Sequence, residues 1–356
     1  MDSRSATAPW PAFRTLFATA VALMPLSPAH AGSDDLCFRG VNLSGAEYGE
    51  VDGIEGTHFL YPTEKTKTYF AEKGFDTVRL PFKWERLQPR LGERFDSAEM
   101  ERLRNAVDGL RAKGFTVVLD PHNFGYYGPD RVTSEKVSTR QFANFWTRLA
   151  VEFANEDHVV FGLMNEPYDI SATNWLKAVN GAITGIRAAK ARNLILVPGT
   201  HWSGVRSWQV DFGSGSNAEV MLGVKDSLDR YAFEVHTYFD EDSSGTHAEC
   251  TKATEVAASF DKMTTWLRQH GQKAFLGEFG GSHQPACLEA IASTVRTLGD
   301  NSDVWLGWTY WAGGDWWSPT ENMNIQPTEA GDKPQLLSLL SEMGTSSKAP
   351  GACSMQ

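Results

Sequence analysis

The chain has 356 residues, of which 41% are apolar and 22% are charged, and this composition excludes a disordered or fibrous protein. The formal net charge of −11 makes the chain unsuited to neutralise the phosphates of a nucleic acid, and an anionic polymer is an equally poor substrate. The length allows one large α/β barrel or two ordinary domains.

The first 31 residues have the parts of a secretory signal peptide. Two arginines precede an apolar run over residues 16–26, and Ala29-His30-Ala31 follows as a small-x-small cleavage site. The run is shorter than the roughly 18 apolar residues that span a bilayer. A disordered tail or a membrane anchor is the alternative. We expect cleavage near Ala31 and a secreted protein made of residues 32–356, without a membrane partner.

Eight short apolar or β-branched runs recur along the rest of the chain, 30–44 residues apart. They are continuously apolar rather than alternating, which is typical of parallel strands covered by helices. Eight strands, each followed by a helix or an irregular equivalent, predict an α/β fold, a (β/α)₈ TIM barrel in a single domain. A doubly wound open sheet is the alternative, but no glycine-rich phosphate loop follows the first run. The runs begin at Phe38, Phe75, Phe115, Val159, Leu194, Tyr231, Ala274 and Val304.

Four segments between these runs have apolar residues at helical spacing. Two of them follow helix-capping sequences, at residues 96–99 and at Ser138-x-x-Gln141. The four segments cover residues 100–110, 142–153, 175–189 and 253–267.

The four cysteines, Cys37, Cys250, Cys287 and Cys353, fit an oxidising compartment. They permit three pairings, between which the sequence does not choose. Cys250 and Cys287 flank one helical segment, whereas Cys37 and Cys353 lie near the two ends. No C-x-x-C pair is present, which argues against a structural zinc site or a redox motif. Buried free thiols are the alternative.

Six of the runs end in polar, ionisable or aromatic residues. Because the carboxyl ends of parallel barrel strands share one mouth, these side chains should form a ring where barrel enzymes place their active sites. The ring comprises Arg79, His122, Asn165, Glu166, His236, Tyr238, Glu278 and Trp311.

Glu166 and Glu278 each follow directly on a buried run, where a carboxylate is costly unless other groups compensate it. Two carboxylates at one mouth suit glycoside hydrolysis, which needs an acid on one side of the scissile bond and a carboxylate on the other. A separation of about 5–5.5 Å would indicate retention of anomeric configuration, and about 6.5–9.5 Å inversion. Spacing along the sequence does not measure this separation.

Five motifs occur in order between residues 37 and 345, and together they resemble glycoside hydrolase family 5. Within that family the similarity is to the secreted bacterial and fungal endo-β-1,4-glucanases, the cellulases. The motifs are Val-Arg-Leu-Pro around Arg79, Asn165-Glu166-Pro167, His236-x-Tyr238, Gly277-Glu278-Phe279-Gly280, and Trp311.

The resemblance implies hydrolysis of internal β-1,4-glucosidic bonds of cellulose and related glucans by a retaining double displacement. Glu166 would be the general acid/base and Glu278 the nucleophile. Arg79 would lie near Glu278 and lower its pKa, since a nearby cation favours the ionised carboxylate. The resemblance implies neither a metal nor an organic cofactor.

The resemblance also assigns substrate contacts. Asn165 would bind the sugar 2-hydroxyl, and Tyr238 would donate a hydrogen bond to the nucleophile. His236 and His122 would frame the acid and the sugar at the cleavage point. Trp311 would stack on the sugar beside the scissile bond.

Further tryptophans follow strand ends, so we expect them at the mouth, where flat rings stack on a glucan chain. Stacking is favoured for Trp202 and Trp316. Stacking and core packing are equally weighted for Trp84, Trp208 and Trp317.

Several alternatives stay open. A β-1,4-mannanase or another β-glucanase of the same family would share the motifs, and a non-catalytic carbohydrate-binding barrel would use only the aromatic cleft. A metal-dependent barrel hydrolase would recruit His122 and His236. Asp120 and Glu234 lie within their strands and are expected to be structural. The partner would be a glucan, bound by a monomer.

Overall fold

The computed structural model describes residues 36–344, so the expected signal peptide and Cys353 lie outside the described residues. All of the strands except β4 and β5, which no apolar run predicted, begin within two residues of the positions expected from the apolar runs. Their bounds are β1 Phe38–Leu43, β2 Thr77–Phe82, β3 Thr116–Pro121, β4 Tyr126–Tyr127, β5 Asp130–Arg131, β6 Val159–Gly162, β7 Ile195–Pro198, β8 Tyr231–Tyr238, β9 Ala274–Gly280 and β10 Trp305–Gly313.

Eight of these strands close into a parallel barrel in the order β1-β10-β9-β8-β7-β6-β3-β2, which confirms the predicted (β/α)₈ barrel. Strands β4 and β5 form a separate antiparallel pair in the loop after β3. The helices are α1 Glu64–Glu72, α2 Trp84–Leu87, α3 Ser97–Ala112, α4 Thr139–Glu152, α5 Ala172–Ala188, α6 Asn217–Val220, α7 Ala253–His270, α8 Pro285–Asp300 and α9 Pro334–Met343.

Helix boundaries follow the capping sequences. The Asp96 carboxylate accepts the backbone N–H of Glu99 in the first turn of α3, and Ser138 with Gln141 forms a complete capping box at the start of α4. Helix α5 begins three residues before its predicted start because Ser171 caps it. No helix among residues 36–344 has the length and apolarity needed to cross a membrane.

The interior of the barrel changes character along the strands. Alternate residues of a strand share one face, and the inward residues near the amino ends form an apolar cluster that includes Phe38, Val118 and Phe275. Continuing two residues along β3 leads from Val118 to Asp120. The same alternation on β8 leads through Glu234 to His236. The charged groups therefore lie above an apolar layer, toward the carboxyl-terminal mouth.

A β-bulge sets the direction of Glu278. In the pairing of β8 with β9, Val235 lies opposite Leu276 and His236 lies opposite Glu278, so Gly277 is the extra residue. One extra residue exchanges the two faces of a strand. The bulge therefore brings Glu278 to the same interior face as Phe275.

One disulfide joins Cys250, in the loop before α7, to Cys287 in α8. This bond selects among the pairings that the sequence leaves open. It joins the loop before α7 to the first turn of α8, so α7 and β9 lie between the two bonded cysteines.

Candidate active site

The two glutamates predicted to act together lie side by side at the mouth of the barrel. Glu166 follows β6 with a positive φ of 39°, and Glu278 lies on β9. The His236 ring lies between them, with Nδ1 2.7 Å from Glu166 Oε1 and 3.6 Å from Glu278 Oε2. One carboxylate oxygen of each glutamate lies within 4.8 Å of the other. This separation is much closer to the retaining geometry than to the inverting one.

Arg79 connects the nucleophile candidate to the rest of the interior. It is fully buried on β2, and its guanidinium donates to Glu278 Oε1 at 2.8 Å, to Glu234 Oε1 at 2.7 Å and to Asn165 Oδ1 at 2.9 Å. Asp120 Oδ2 lies 3.0 Å away. Burial disfavours the cation, but the three carboxylates outweigh burial and raise the pKa of Arg79.

Both oxygens of Glu278 accept hydrogen bonds. Arg79 donates to Oε1, and the Tyr238 hydroxyl donates to Oε2 at 2.7 Å. Burial raises the pKa of Glu278, and the charges of His236 and Arg79 act in the opposite direction. Burial is the largest influence and outweighs the effect of Arg79, so the net direction of the pKa of Glu278 is upward.

The two histidines of the site each bind a carboxylate. His122 Nδ1 lies 2.7 Å from Asp120 Oδ2, and its Nε2 faces the Asn165 amide at 3.2 Å. Burial opposes the charged ring, whereas Asp120 raises the pKa of His122. The His122 ring also stacks on Trp311, with ring centroids 5.2 Å apart and planes inclined by 16°.

Three tryptophans at or after the carboxyl ends of barrel strands differ in exposure. Trp202 is 51% exposed and stacks on Tyr168 with planes inclined by 3°. Trp316 is half-buried and stacks on Tyr48. Trp311 is only 9% exposed, which leaves a small part of its ring accessible.

A cleft of about 680 Å³ opens beside Glu166. Trp202 lies on its wall within a turn in which three consecutive residues, 201–203, have a positive φ. Phe212 stacks on His201 in the same wall, with ring centroids 3.9 Å apart. An open, largely apolar cleft that begins at an acid candidate is suited to an extended sugar chain.

The structure decides between stacking and core packing for two tryptophans that follow strand ends. Trp84 is completely buried among aromatic residues that include Phe142 and Phe145. Trp208 is also completely buried, against Phe233 and Trp266. Both residues pack in the core and neither can stack on a sugar.

Trp317 is half-buried at the mouth. Its Nε1 donates to Ser44 Oγ at 2.9 Å, and its ring packs edge-on against Trp311. The ring therefore supports another aromatic residue of the site rather than standing free.

Several residues of the site were not predicted from the sequence. Tyr168 stacks on Trp202 and Tyr48 stacks on Trp316, and Glu47 accepts a hydrogen bond from Gly45 N at 2.7 Å. Burial raises the pKa of Glu47. The position of Tyr168, two residues after Glu166, was a usable signal.

Two triplets among residues 36–344 bring possible metal ligands together. In the triplet Glu166, His236 and Glu278, Oε1 of Glu166 lies 2.7 Å from Nδ1 of His236. An ion bound at about 2.1 Å from each ligand would hold the ligand atoms roughly 3 Å apart or more. The observed distance fits a hydrogen bond. In the other triplet, Asp240 accepts hydrogen bonds from its own loop, including His247 N.

A family model described as cellulase (glycosyl hydrolase family 5) matches residues 38–314. The chain belongs to this family. Endo-beta-1,4-glucanase B of Emericella nidulans is 34% identical over 295 residues, which cover 82% of this chain and 87% of the relative.

Solved structures agree with that assignment to glycosyl hydrolase family 5. An endo-β-1,4-glucanase from Xanthomonas axonopodis pv. citri is 42% identical with a TM-score of 0.84, and the match covers 86% of this chain and 98% of that one. Pseudomonas stutzeri endoglucanase Cel5A, solved with cellobiose, is 31% identical with a TM-score of 0.78, covering 90% and 96%.

Proposed function

We propose that this glycoside hydrolase is a retaining endo-β-1,4-glucanase. The observation that carries the proposal is the approach of one carboxylate oxygen of Glu166 to one of Glu278 within 4.8 Å, because an inverting pair, about 6.5–9.5 Å apart, needs room for a water molecule that this spacing does not leave. The relatives named as endo-β-1,4-glucanases support the linkage.

In the first step, Glu278 attacks the anomeric carbon while Glu166 gives its proton to the glycosidic oxygen. The carbon–oxygen bond breaks, the leaving sugar departs as an alcohol, and the remaining sugar is bound as an ester of Glu278. Arg79 and Tyr238, which bind the two oxygens of Glu278, orient the attacking carboxylate.

In the second step, Glu166 takes a proton from water as the water oxygen attacks the anomeric carbon. Glu278 leaves as a carboxylate, and the product has its original configuration. Ester formation has removed the negative charge beside Glu166, so the carboxylate that acts as base has no anionic neighbour at Glu278.

Other residues of the ring would bind the substrate. Asn165 is held by Arg79 and adjoins His122, so its amide lies where a sugar hydroxyl next to Glu166 can reach it. Trp311 would stack on the sugar at the cleavage point. Trp202 and Trp316 would bind more distant sugars on opposite sides of it.

The test compares hydrolysis of carboxymethylcellulose with that of galactomannan, following viscosity and new reducing ends together. An endo-β-1,4-glucanase lowers the viscosity of the first polymer early, and its first product is the β-anomer by NMR. Faster hydrolysis of galactomannan would establish a mannanase, and release of the α-anomer would refute retention.

We also propose that the protein is secreted after removal of residues 1–31. The apolar run, the small-x-small site and the Cys250–Cys287 disulfide support this proposal. Amino-terminal sequencing of the exported protein should begin at Gly32. Light scattering of the same sample tests the expected monomer.

A further inference from the structure

Two barrel strands carry the same pair of residues, a carboxylate followed two positions later by a histidine. The pairs are Asp120 on β3 with His122 directly after that strand, and Glu234 with His236 on β8. Both carboxylates form ion pairs with Arg79, at 3.0 and 2.7 Å. The histidine of the second pair is the one that contacts the acid/base candidate.

The His236 ring has an acceptor next to each of its nitrogens. Nε2 lies 3.4 Å from Glu234 Oε1, and Nδ1 lies 2.7 Å from Glu166 Oε1. A carboxyl oxygen that carries no proton only accepts hydrogen bonds, whether the other oxygen of the group is protonated or not, so a ring between two such oxygens carries a proton on both nitrogens.

Gly277 leaves the space in which Glu234 and His236 meet. A Cβ atom at this position would lie 2.4 Å from Glu234 Oε1 and 2.8 Å from His236 Nε2. Gly277 is also the bulge residue of β9. The local backbone is therefore arranged around this contact.

The electrostatic surroundings agree with a charged ring. Burial disfavours the cation, but the carboxylates of Glu278, Glu166 and Glu234 raise the pKa of His236 to about 10. The titratable and charged groups around the ring come from the loop after β6 and from strands β9, β8, β2 and β3: Glu166, Glu278, Glu234, Tyr238, Arg79 and Asp120.

We propose that Glu234 is a positioning residue that acts through His236. By accepting the Nε2–H, Glu234 keeps the ring doubly protonated, and Nδ1–H then donates to Glu166 Oε1. This inference rests on the proposed function, in which Glu166 supplies a proton to the leaving oxygen.

The consequence concerns the oxygen on which Glu166 carries its proton. With Oε1 accepting from His236, the proton is on Oε2, which has no hydrogen bond to any of residues 36–344 and is available to the substrate. With a neutral ring, Oε1–H could instead donate to Nδ1, and the proton would be directed at the protein.

The test uses Glu234→Gln, which keeps the shape of the side chain and an acceptor for Arg79 but removes the charge that binds Nε2–H. Asp120→Asn is the matched control, because it alters the other carboxylate paired with Arg79 and leaves the Glu234–His236 contact intact. Both variants are assayed as full chains on aryl cellobiosides with good and poor leaving groups.

For Glu234→Gln, kcat/KM should fall roughly ten- to a hundredfold with a poor leaving group, because the variant loses part of the rate enhancement that general acid catalysis provides. With a good leaving group, which needs little protonation, kcat/KM should fall only a few-fold. Asp120→Asn should lower kcat/KM by the same factor for both substrates. An equal loss on both substrates in Glu234→Gln would overturn the proposal, because it would show a purely structural role.

Nitrogen NMR of the histidine rings provides a readout independent of turnover, with the His236 signal assigned from its absence in His236→Asn. In Glu234→Gln this ring should lose its proton at a pH lower by about one unit or more, and the shift should be smaller in Asp120→Asn. An unchanged titration contradicts the inference. If the unmodified protein hydrolyses no β-glucan, the proposed function fails, while this titration still tests the contact.

Discussion

At the scale of single residues, the site is a buried network in which each charge depends on several others. Arg79 is shared by three carboxylates, and Glu278 is held by donors on both of its oxygens. A change at one side chain should therefore alter the protonation of its neighbours as well as remove a contact.

Glu278→Ala should abolish hydrolysis, because no other carboxylate is in place to form the ester. Binding of a cello-oligosaccharide should persist, since Arg79 keeps Asp120 and Glu234 as partners. Calorimetric binding measured beside reducing-end release checks both statements, and full activity in the variant would disprove the assigned nucleophile.

Glu166→Ala should lower kcat/KM for cellulose by roughly 10²–10⁴, the range of general acid catalysis. An activated aryl cellobioside, whose leaving group needs little protonation, should lose far less at the glycosylation step. Rates on the two substrates provide the comparison. Equal losses would argue against a proton donor at this position.

Tyr238→Phe removes a hydrogen bond to ionised Glu278, so the pKa of Glu278 should rise and the acidic limb of the kcat/KM profile should move to higher pH. Tyr310→Phe is the control, because that hydroxyl donates to the Gly281 carbonyl instead. A limb that moves equally in both variants would point to a general packing effect.

At the scale of secondary-structure elements, the sequence predicted the features that depend on interactions between residues close together in the chain. The apolar runs predicted the barrel strands, and Asp96 and Ser138 predicted the starts of two helices, because helix caps and hydrophobic periodicity act over a few residues. The side-chain direction of Trp84 and Trp208 depends on distant packing partners, so a strand-end position alone left stacking and core packing equally open for them. The bulge at Gly277 also depends on its neighbouring strand.

Trp202→Ala should raise KM for long cello-oligosaccharides roughly two- to tenfold, as expected for one stacking ring, with little change in stability because the side chain is half exposed. Trp84→Ala, which truncates a buried ring of the same type, should destabilise the fold by about 3–5 kcal/mol. Urea unfolding and kinetics of both variants test the contrast. Loss of stability in Trp202→Ala without a change in KM would show that Trp202 packs in the fold and does not bind the substrate.

At the scale of the whole molecule, the ionic network links stability to pH. The pKa of His236 is raised from its ordinary value of 6.5 to about 10 in the folded protein, so its stabilising effect is complete below pH 6.5 and declines as pH rises toward 10. The stability difference between the natural protein and His236→Asn should therefore narrow over that interval. Urea unfolding at several pH values measures this stability difference, and a difference that stays constant with pH would contradict the positive charge assigned to His236.

The change from apolar to charged residues along the barrel interior has a practical consequence for engineering. Residues such as Val118 and Phe275 lie below the ionic groups, so repacking that layer offers a route to greater heat resistance with turnover preserved. Gly277 belongs to the opposite category: any side chain there collides with Glu234, and a library that randomises β9 should recover glycine alone at this position.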